Sequence, residues 1–488
     1  MIVMFYYVFD YSTIESYNQY IKIKKGCFFM EKFRIERDSI GEKQVPIDAY
    51  YGVQSLRAKE NFKISGTKVH PEFINAIVLV KKAAAIANKN SKALSAERAD
   101  AIVKACDDLL SGKYLDNFII DAFQGGAGTS LNMNANEVVA NIAIEYLGGK
   151  KGDYSIVHPN DHVNCAQSTN DAYPSAGKIA TIKLLKKAIV ALEEFYGALI
   201  KKAGEFENVI KMGRTEMQDA VPISFGQSFK AYAAPIKRDI KRFNKAIQEL
   251  SVLNMGGTAI GTGLNADKHY IKNIVPTLST VCGFEFTQAD DLIDATQNLD
   301  CFVYVSGIIK SCASTISKMA NDLRLMSSGP RTGFAEINLP AKQNGSSIMP
   351  GKINPVIPEV MNQIAFNVIG NDMTVTMAVE AGQLELNAFE PVIFYCLFES
   401  LETLTNGIKV FRTDCIEGIT VNEEICQEEV EKSIGIVTAL CPYIGYTRAS
   451  DLAKKALREG KRVRDVLVEE KVIDESQLES ILDPQKMI

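Results

Sequence analysis

Residues 345–369 read Gly345-Ser346-Ser347-Ile348-Met349-Pro350-Gly351-Lys352-Ile353-Asn354-Pro355, then Val356-Ile357-Pro358-Glu359-Val360-Met361-Asn362-Gln363-Ile364-Ala365-Phe366-Asn367-Val368-Ile369. The stretch changes character at its middle. The first part is built from Gly, Ser and Pro, residues that set turns. The second repeats apolar residues at Ile357, Val360, Met361, Ile364, Ala365, Val368 and Ile369, the spacing of one helix face. Asn354 and Pro355 stand at the change, where an N-cap and a first helical residue belong. The stretch thus predicts a polar loop that runs directly into a long helix.

Similar helical patterns lie upstream. Over 175–203, Ile182, Leu185, Ile189, Leu192, Tyr196 and Leu199 step by three and four. Over 222–252, Phe225, Phe229, Tyr232, Ile236, Ile240, Phe243, Ile247 and Leu250 do the same, with Pro235 inside the pattern as an expected kink. After Gly370 the apolar pattern continues to about residue 412, as more than one helix. Helices of about 30 residues span near 45 Å at ~1.5 Å per residue, well beyond the usual ~11–12 residues. No strand-rich alternation appears at scale. The fold class expected is therefore mainly α, a long helix bundle with apolar faces left over for sister subunits.

Composition shifts near 170 and again near 424, where the tail becomes charged. The chain divides accordingly into an N-terminal domain (30–170), a central long-helix bundle domain (171–423) and a small C-terminal helical domain (424–488). Residues 1–29 are rich in Tyr, Phe and Ile and lack periodicity, and Met30-Glu31-Lys32-Phe33 is a more natural start, so 1–29 is expected to be an upstream extension.

The 488 residues carry a formal net charge of −5, which advertises no nucleic-acid partner. Hydrophobic residues at 47% supply a large core and exclude a disordered chain. The ten cysteines form no Cys-x-x-Cys pair and give neither a disulfide nor a zinc framework, which favours reduced thiols in the cytoplasm. His158 and His162 have a ligand-like spacing of four, but Pro159 disfavours a regular helix between them, and no metal site is expected. No run reaches the ~18 apolar residues of a membrane span, and the apolar start lacks a basic n-region.

Four segments interrupt the helical pattern. They are Gln124-Gly125-Gly126-Ala127-Gly128-Thr129-Ser130, His158-Pro159-Asn160-Asp161-His162 through Gln167-Ser168-Thr169-Asn170-Asp171, Lys211-Met212-Gly213-Arg214-Thr215-Glu216, and Gly345 to Pro355. Each alone reads as an ordinary loop. Familiar alternatives fail. Between Gly345 and Gly351-Lys352 lie five residues where a phosphate loop has four, and Ile353 replaces the magnesium-holding Ser or Thr. The glycines from Gly256 to Gly263 lack dinucleotide-binding spacing, and no Gly-x-Ser-x-Gly elbow is present.

Hydroxyls, amides and one lysine together suit carboxylates. Lys352 supplies a point charge, Asn170 and Asn354 supply amide donors, and Thr129, Ser168, Thr169 and Thr215 supply hydroxyls. A small dianionic acid would fit. Ser346 can remove a proton from carbon only if backbone N–H donors and a local positive field support its alkoxide.

The fourth segment resembles the signature loop Gly-Ser-Ser-x-Met-Pro-x-Lys-x-Asn-Pro of the aspartase/fumarase superfamily. The other three segments resemble that superfamily's remaining motifs in the right order, from about residue 31 to the C-terminus. Ser168-Thr169-Asn170, Gly125 to Thr129, and Pro355-Val356-Ile357-Pro358-Glu359 look more like the aspartase branch than the fumarase branch. The resemblance implies a three-domain fold whose central helices form a homotetrameric core, with active sites shared by three chains. It implies reversible deamination of L-aspartate to fumarate and ammonia, with no nucleic-acid or membrane partner. No cofactor is implied as required, and activation by a divalent cation such as Mg is left open. By the same likeness Ser346 is the base, and Thr129, Ser168, Thr169 and Ser347 hold the β-carboxylate. Thr215, Lys352 and Asn354 hold the α-carboxylate, and Asn170 contacts the amino group. Two positions depart from the pattern. Cys165 replaces a usual Lys, and Glu216, beside the substrate on this reading, stands where relatives have His or Gln. A class II fumarase acting on fumarate and malate, or a non-catalytic crystallin-like relative, are the alternatives.

Overall fold

A computed structural model of the chain describes residues 20–24 and 27–488. The expectation of an upstream extension over 1–29 falls largely outside them. The described part pairs as antiparallel strands β1 (Tyr20–Lys24) and β2 (Cys27–Glu31), with Tyr20 opposite Glu31.

Helices dominate the rest. In chain order the main ones are α1 (Val53–Asn61), α2 (Pro71–Asn90), α3 (Ala96–Leu110), α4 (Thr129–Tyr146), α5 (Thr169–Glu205), α6 (Phe225–Leu250), α7 (Lys268–Cys282), α8 (Asp300–Met326), α9 (Val356–Glu380) and α10 (Glu390–Asp414). Smaller helices α11 (Glu423–Lys432), α12 (Tyr446–Glu459), α13 (Val463–Glu469) and α14 (Glu475–Ile481) follow. Strands β3 (Phe33–Asp38) and β4 (Gly41–Pro46) form one hairpin, and β5 (Ile210–Thr215) and β6 (Gln218–Ser224) another. The described chain forms two compact units, one made of its residues up to Ala180 with Ser251–Leu299 and Ala378–Tyr395, the other of Thr181–Leu250 with Asp300–Met377 and Cys396–Ile488.

In the first unit, α2 packs on α3 and α7. It starts cleanly, with Pro71 at its first position and His70 Nδ1 accepting the Glu72 N–H at 3.1 Å. Buried alanines at 83, 84, 85 and 87 let its neighbours approach closely. In the second unit, α6 packs on α8. Its predicted seam holds, since Phe225, Phe229, Ile236, Phe243 and Leu250 are fully buried, and the helix runs unbroken through Pro235. Met212 of β5 joins the core of the C-terminal helices around Leu440, Val466 and Leu467.

One boundary differs from the sequence reading. Helix α9 begins at Val356, and Pro355, not Asn354, accepts its first intrahelical bond, from Glu359 N–H at 3.2 Å. Asn354 is diverted because its Nδ2 donates back to Gly345 O at 2.7 Å, closing the preceding loop.

Glu137 on α4 is buried and caps α1. It accepts the N–H groups of Gly52 at 2.8 Å, Gln54 at 2.8 Å and Ser55 at 3.1 Å, and the Ser55 hydroxyl as well. Burial nevertheless pushes its carboxyl up to about 7. Between its ordinary value and that point the folded chain holds a proton that the unfolded chain releases. Stability from this group is therefore lost as pH rises through that window. We expect the urea midpoint of the wild-type chain to fall towards that of Glu137→Gln between about pH 4.5 and 7.5, by on the order of 2–3 kcal/mol. A gap between the two that stays constant over the window would place the titration elsewhere.

Candidate active site

The ten candidate residues divide between the two units. Thr129, Ser168, Thr169 and Asn170 belong to the first, and Thr215, Glu216, Ser346, Ser347, Lys352 and Asn354 to the second.

In the first unit the polar segments turn out to be helix starts. Gly126, Ala127 and Gly128 all take positive φ and deliver the chain into α4, whose first residue is the exposed Thr129. A Cβ at Gly128 would lie 2.4 Å from the Tyr173 ring, so the loop can pass only with glycine there. Ser168 caps α5. Its hydroxyl accepts the Asn170 N–H at 3.1 Å, and its own N–H goes to Asp171 Oδ1 at 2.9 Å, a reciprocal capping box. Asn132, one turn beyond Thr129, donates Nδ2 to Thr169 Oγ1 at 3.1 Å and so joins the first turns of α4 and α5. Two helix N-termini meeting in this way favour an anion. Asn170 is expected to contact the amino group. One proton of its Nδ2 goes to Ala259 O at 2.7 Å, and its amide oxygen is left to accept from a cation.

The histidine pair is occupied locally. His158 Nδ1 accepts from Asn160 and Asp161 N–H, both at 3.2 Å, and His162 Nδ1 accepts from His158 N–H at 2.8 Å, within a π-helical turn over Pro159–Val163. Burial lowers the His162 imidazole below its usual range. Among the described residues no group of three or more His, Cys, Asp or Glu is placed to hold a metal ion.

In the second unit, Thr215 ends β5, and Glu216 and Met217 form a two-residue turn with φ of 52° and 64°. Positive φ at both positions is the type I′ hairpin geometry. The sequence hid this hairpin because Glu-Met is not a usual occupant. Glu216 is exposed and makes no ion pair among the described residues. Arg214 is not its partner, since the guanidinium reaches Glu336 Oε1 at 2.7 Å and Glu429 Oε2 at 2.9 Å.

The Gly345–Pro355 loop closes on itself. Gly345 N–H donates to Lys352 O at 2.8 Å, and a Cβ at Gly345 would stand 2.7 Å from both Lys352 O and Asn354 N. Ser346 Oγ accepts two backbone N–H groups, from Ile348 at 3.2 Å and Met349 at 2.9 Å. This is the donor arrangement that an alkoxide needs. Ser347 and Lys352 are exposed. Sequence reasoning gave no role to Lys81, Asn132 and Asp171, buried groups behind these segments; the asparagine inside an apolar helical stretch was the available signal.

Residues 41–370 match the Lyase family and residues 436–488 match the Fumarase C C-terminus family. The chain belongs to the aspartase/fumarase superfamily of lyases. It is 52% identical over 457 residues to an aspartate ammonia-lyase of Bacillus subtilis (strain 168), covering 94% of this chain and 96% of that one. With an aspartate ammonia-lyase of Escherichia coli (strain K12) it shares 50% over 458 residues, covering 93% and 96%. A class II fumarase from Schistosoma mansoni has a TM-score of 0.91 at 34% identity, over 93% of this chain and 99% of that one. A fumarate lyase:delta crystallin from Brucella melitensis bound to cobalt has the same TM-score at 48% identity and the same coverage.

Proposed function

We infer that the chain is a carbon–nitrogen lyase that reversibly converts L-aspartate to fumarate and ammonia. The observation that carries this is its 50–52% identity to aspartate ammonia-lyases over at least 93% of its length.

The chemistry follows from the donors described. Ser346, its oxygen supported by two N–H groups, takes a proton from the carbon beside the β-carboxylate. The electron pair moves into that carboxylate and gives an enediolate-like dianion. Thr129, Ser168, Thr169 and Ser347 hold it, where preset donors at growing charge give the largest rate gain. Thr215, Lys352 and Asn354 hold the α-carboxylate. The pair then returns to form the carbon–carbon double bond as the carbon–nitrogen bond breaks, and ammonia leaves from beside the Asn170 amide oxygen. No organic cofactor enters this sequence.

The same reading includes a homotetramer with each site shared by three chains, working in the cytoplasm. Phe366, Met373 and Met377, spaced along α9, are 64%, 62% and 64% exposed in the single chain and are suited to packing against sister copies. Among the described residues no helix is long and apolar enough to cross a membrane.

Purified protein given L-aspartate should release fumarate and ammonia; turnover of malate alone would instead favour the fumarase alternative. Ser346→Ala should lower kcat by several powers of ten with the assembly intact, and a tenth of wild-type activity remaining would remove Ser346 from the role. Mixing inactive Ser346→Ala subunits with strongly impaired Thr169→Val subunits and refolding them together should rebuild some intact sites and raise activity above that of either variant alone. Hybrids that stay dead while wild type refolds well would contradict shared sites. The exposed Glu216 is assigned to the amino side of the substrate, where a carboxylate favours aspartate over malate. Glu216→Gln should raise KM for aspartate roughly five- to thirty-fold, equivalent to ~1–2 kcal/mol. A KM within about twofold of wild type from neutral to alkaline pH would overturn that role.

A further inference from the structure

Lys81 lies in the middle of α2, fully buried among alanines. Its Nζ donates to Asn132 Oδ1 at 2.6 Å, Asn164 Oδ1 at 2.9 Å and Gln167 Oε1 at 2.9 Å. An ammonium has three protons and accepts nothing. Three amide oxygens satisfy it, and its charge dictates that the oxygen end of each amide faces it. The amide NH2 groups must then point away. Gln167 Nε2 donates to Val163 O at 3.0 Å and Cys165 O at 3.2 Å, and Asn164 Nδ2 donates to Gln167 O at 3.1 Å. Asn132 Nδ2 donates to Thr169 Oγ1 at 3.1 Å and to Asn164 Oδ1 at 3.2 Å.

Thr169 is the end of this chain of donors. Its oxygen already receives an N–H, and the amide behind it offers no acceptor on that side. The hydroxyl proton is therefore sent to the open side. Burial pulls the Lys81 ammonium down to about 7, and the Asp171 carboxylate opposes that fall. The three oxygens around Nζ take all three ammonium protons, so the geometry is that of the charged lysine. A fully buried charge is costly to hold in a helix of alanines, and charge-assisted bonds to three amides offset that cost.

We propose that Lys81 and Asn132 are positioning residues for the reaction, which fix the Thr169 hydroxyl as a donor aimed at the substrate's β-carboxylate. The proposal rests on the functional reading above, in which Thr169 holds the carboxylate whose charge grows in the transition state. A preset donor acts most where charge develops, so its loss lowers kcat more than it raises KM.

The test is a double-mutant cycle on the full chain. Asn132→Asp is the primary variant, because it preserves shape and keeps an anionic oxygen for Lys81. It replaces the donor facing Thr169 by an acceptor, so the threonine hydroxyl turns inward. We expect kcat/KM to fall 30- to 300-fold, mostly in kcat, with the circular dichroism of the folded chain retained. Thr169→Val should cost a similar factor in the wild-type background but less than threefold in the Asn132→Asp background. Thr169→Ser, which keeps the hydroxyl, should stay within about fivefold of wild type and regain no activity in the Asn132→Asp background. Equal costs of Thr169→Val in both backgrounds, or wild-type kcat/KM in Asn132→Asp, would overturn the proposal. If the wild-type chain turned over malate but not L-aspartate, the substrate reading would fail by itself. The cycle would then be run with malate, which carries the same β-carboxylate.

Discussion

The first unit is organised around the Asp171 carboxylate. It is fully buried, and it accepts the Ser168 N–H at 2.9 Å, the Gly256 N–H at 3.2 Å and the Thr258 N–H at 3.0 Å. Burial pushes it up to about 6, with those donors and the Lys81 charge pulling the other way. The first of the bonds caps a helix of 37 residues at a defined residue. The other two fold the glycine-rich stretch after α6 onto that helix start. Asn254 then donates Nδ2 to Asn170 O at 3.0 Å, and Asn170 donates to Ala259 O. One buried anion thus sets where α5 begins, how Ser168, Thr169 and Asn170 are turned, and which loop lies over them.

The second unit uses the same physical device with different parts. Glu336 is fully buried and takes Lys211 at 3.1 Å and Arg214 at 2.7 Å, while Arg214 also holds Glu429. This cluster sits directly behind the hairpin tip that exposes Thr215 and Glu216. Removing one partner of such a cluster leaves an uncompensated buried charge, which costs about 3–5 kcal/mol. Substrate donors on exposed turns stay precise only when the chain behind them is rigid. In both units buried ions tie together the chain behind the proposed donors.

Much of the fold was legible because long helices write themselves into apolar spacing. The seam from Phe225 to Leu250 is buried as predicted, and the pattern beyond Gly370 resolves into α9 and α10. What escaped was encoded without periodicity. The β5–β6 hairpin is short and turns on Glu216-Met217, with neither Asn nor Gly to announce positive φ. The α5 start was read as loop because Ser, Thr, Asn and Asp are turn residues as much as capping residues, and Pro174 follows within the helix. Lys81 was invisible for a different reason. In Val80-Lys81-Lys82-Ala83 adjacent lysines look alike, yet Lys81 is buried while Lys82 pairs at the surface with Asp107. Only the placement of Asn132, Asn164 and Gln167, remote in sequence, distinguishes them.

The exposure of the proposed donors carries a last consequence. Thr129, Thr215, Ser347 and Lys352 all face water in the single chain. Donors in water compete with bulk solvent for a carboxylate, and a serine alkoxide held by two N–H groups remains a strong base for water itself. Electrostatic stabilisation of a dianion becomes large only when solvent is excluded. The surfaces that exclude it must therefore come from elsewhere in the proposed assembly. The signature loop is suited to sealing such a site. Ile348 and Met349 follow Ser346-Ser347 and are 83% and 49% exposed, so burying them against a neighbouring surface would favour closure by roughly 1.5–3 kcal/mol for each side chain fully covered. The apolar residues of the loop and the polar donors it carries thus serve one requirement, a dry enclosure around a doubly charged intermediate.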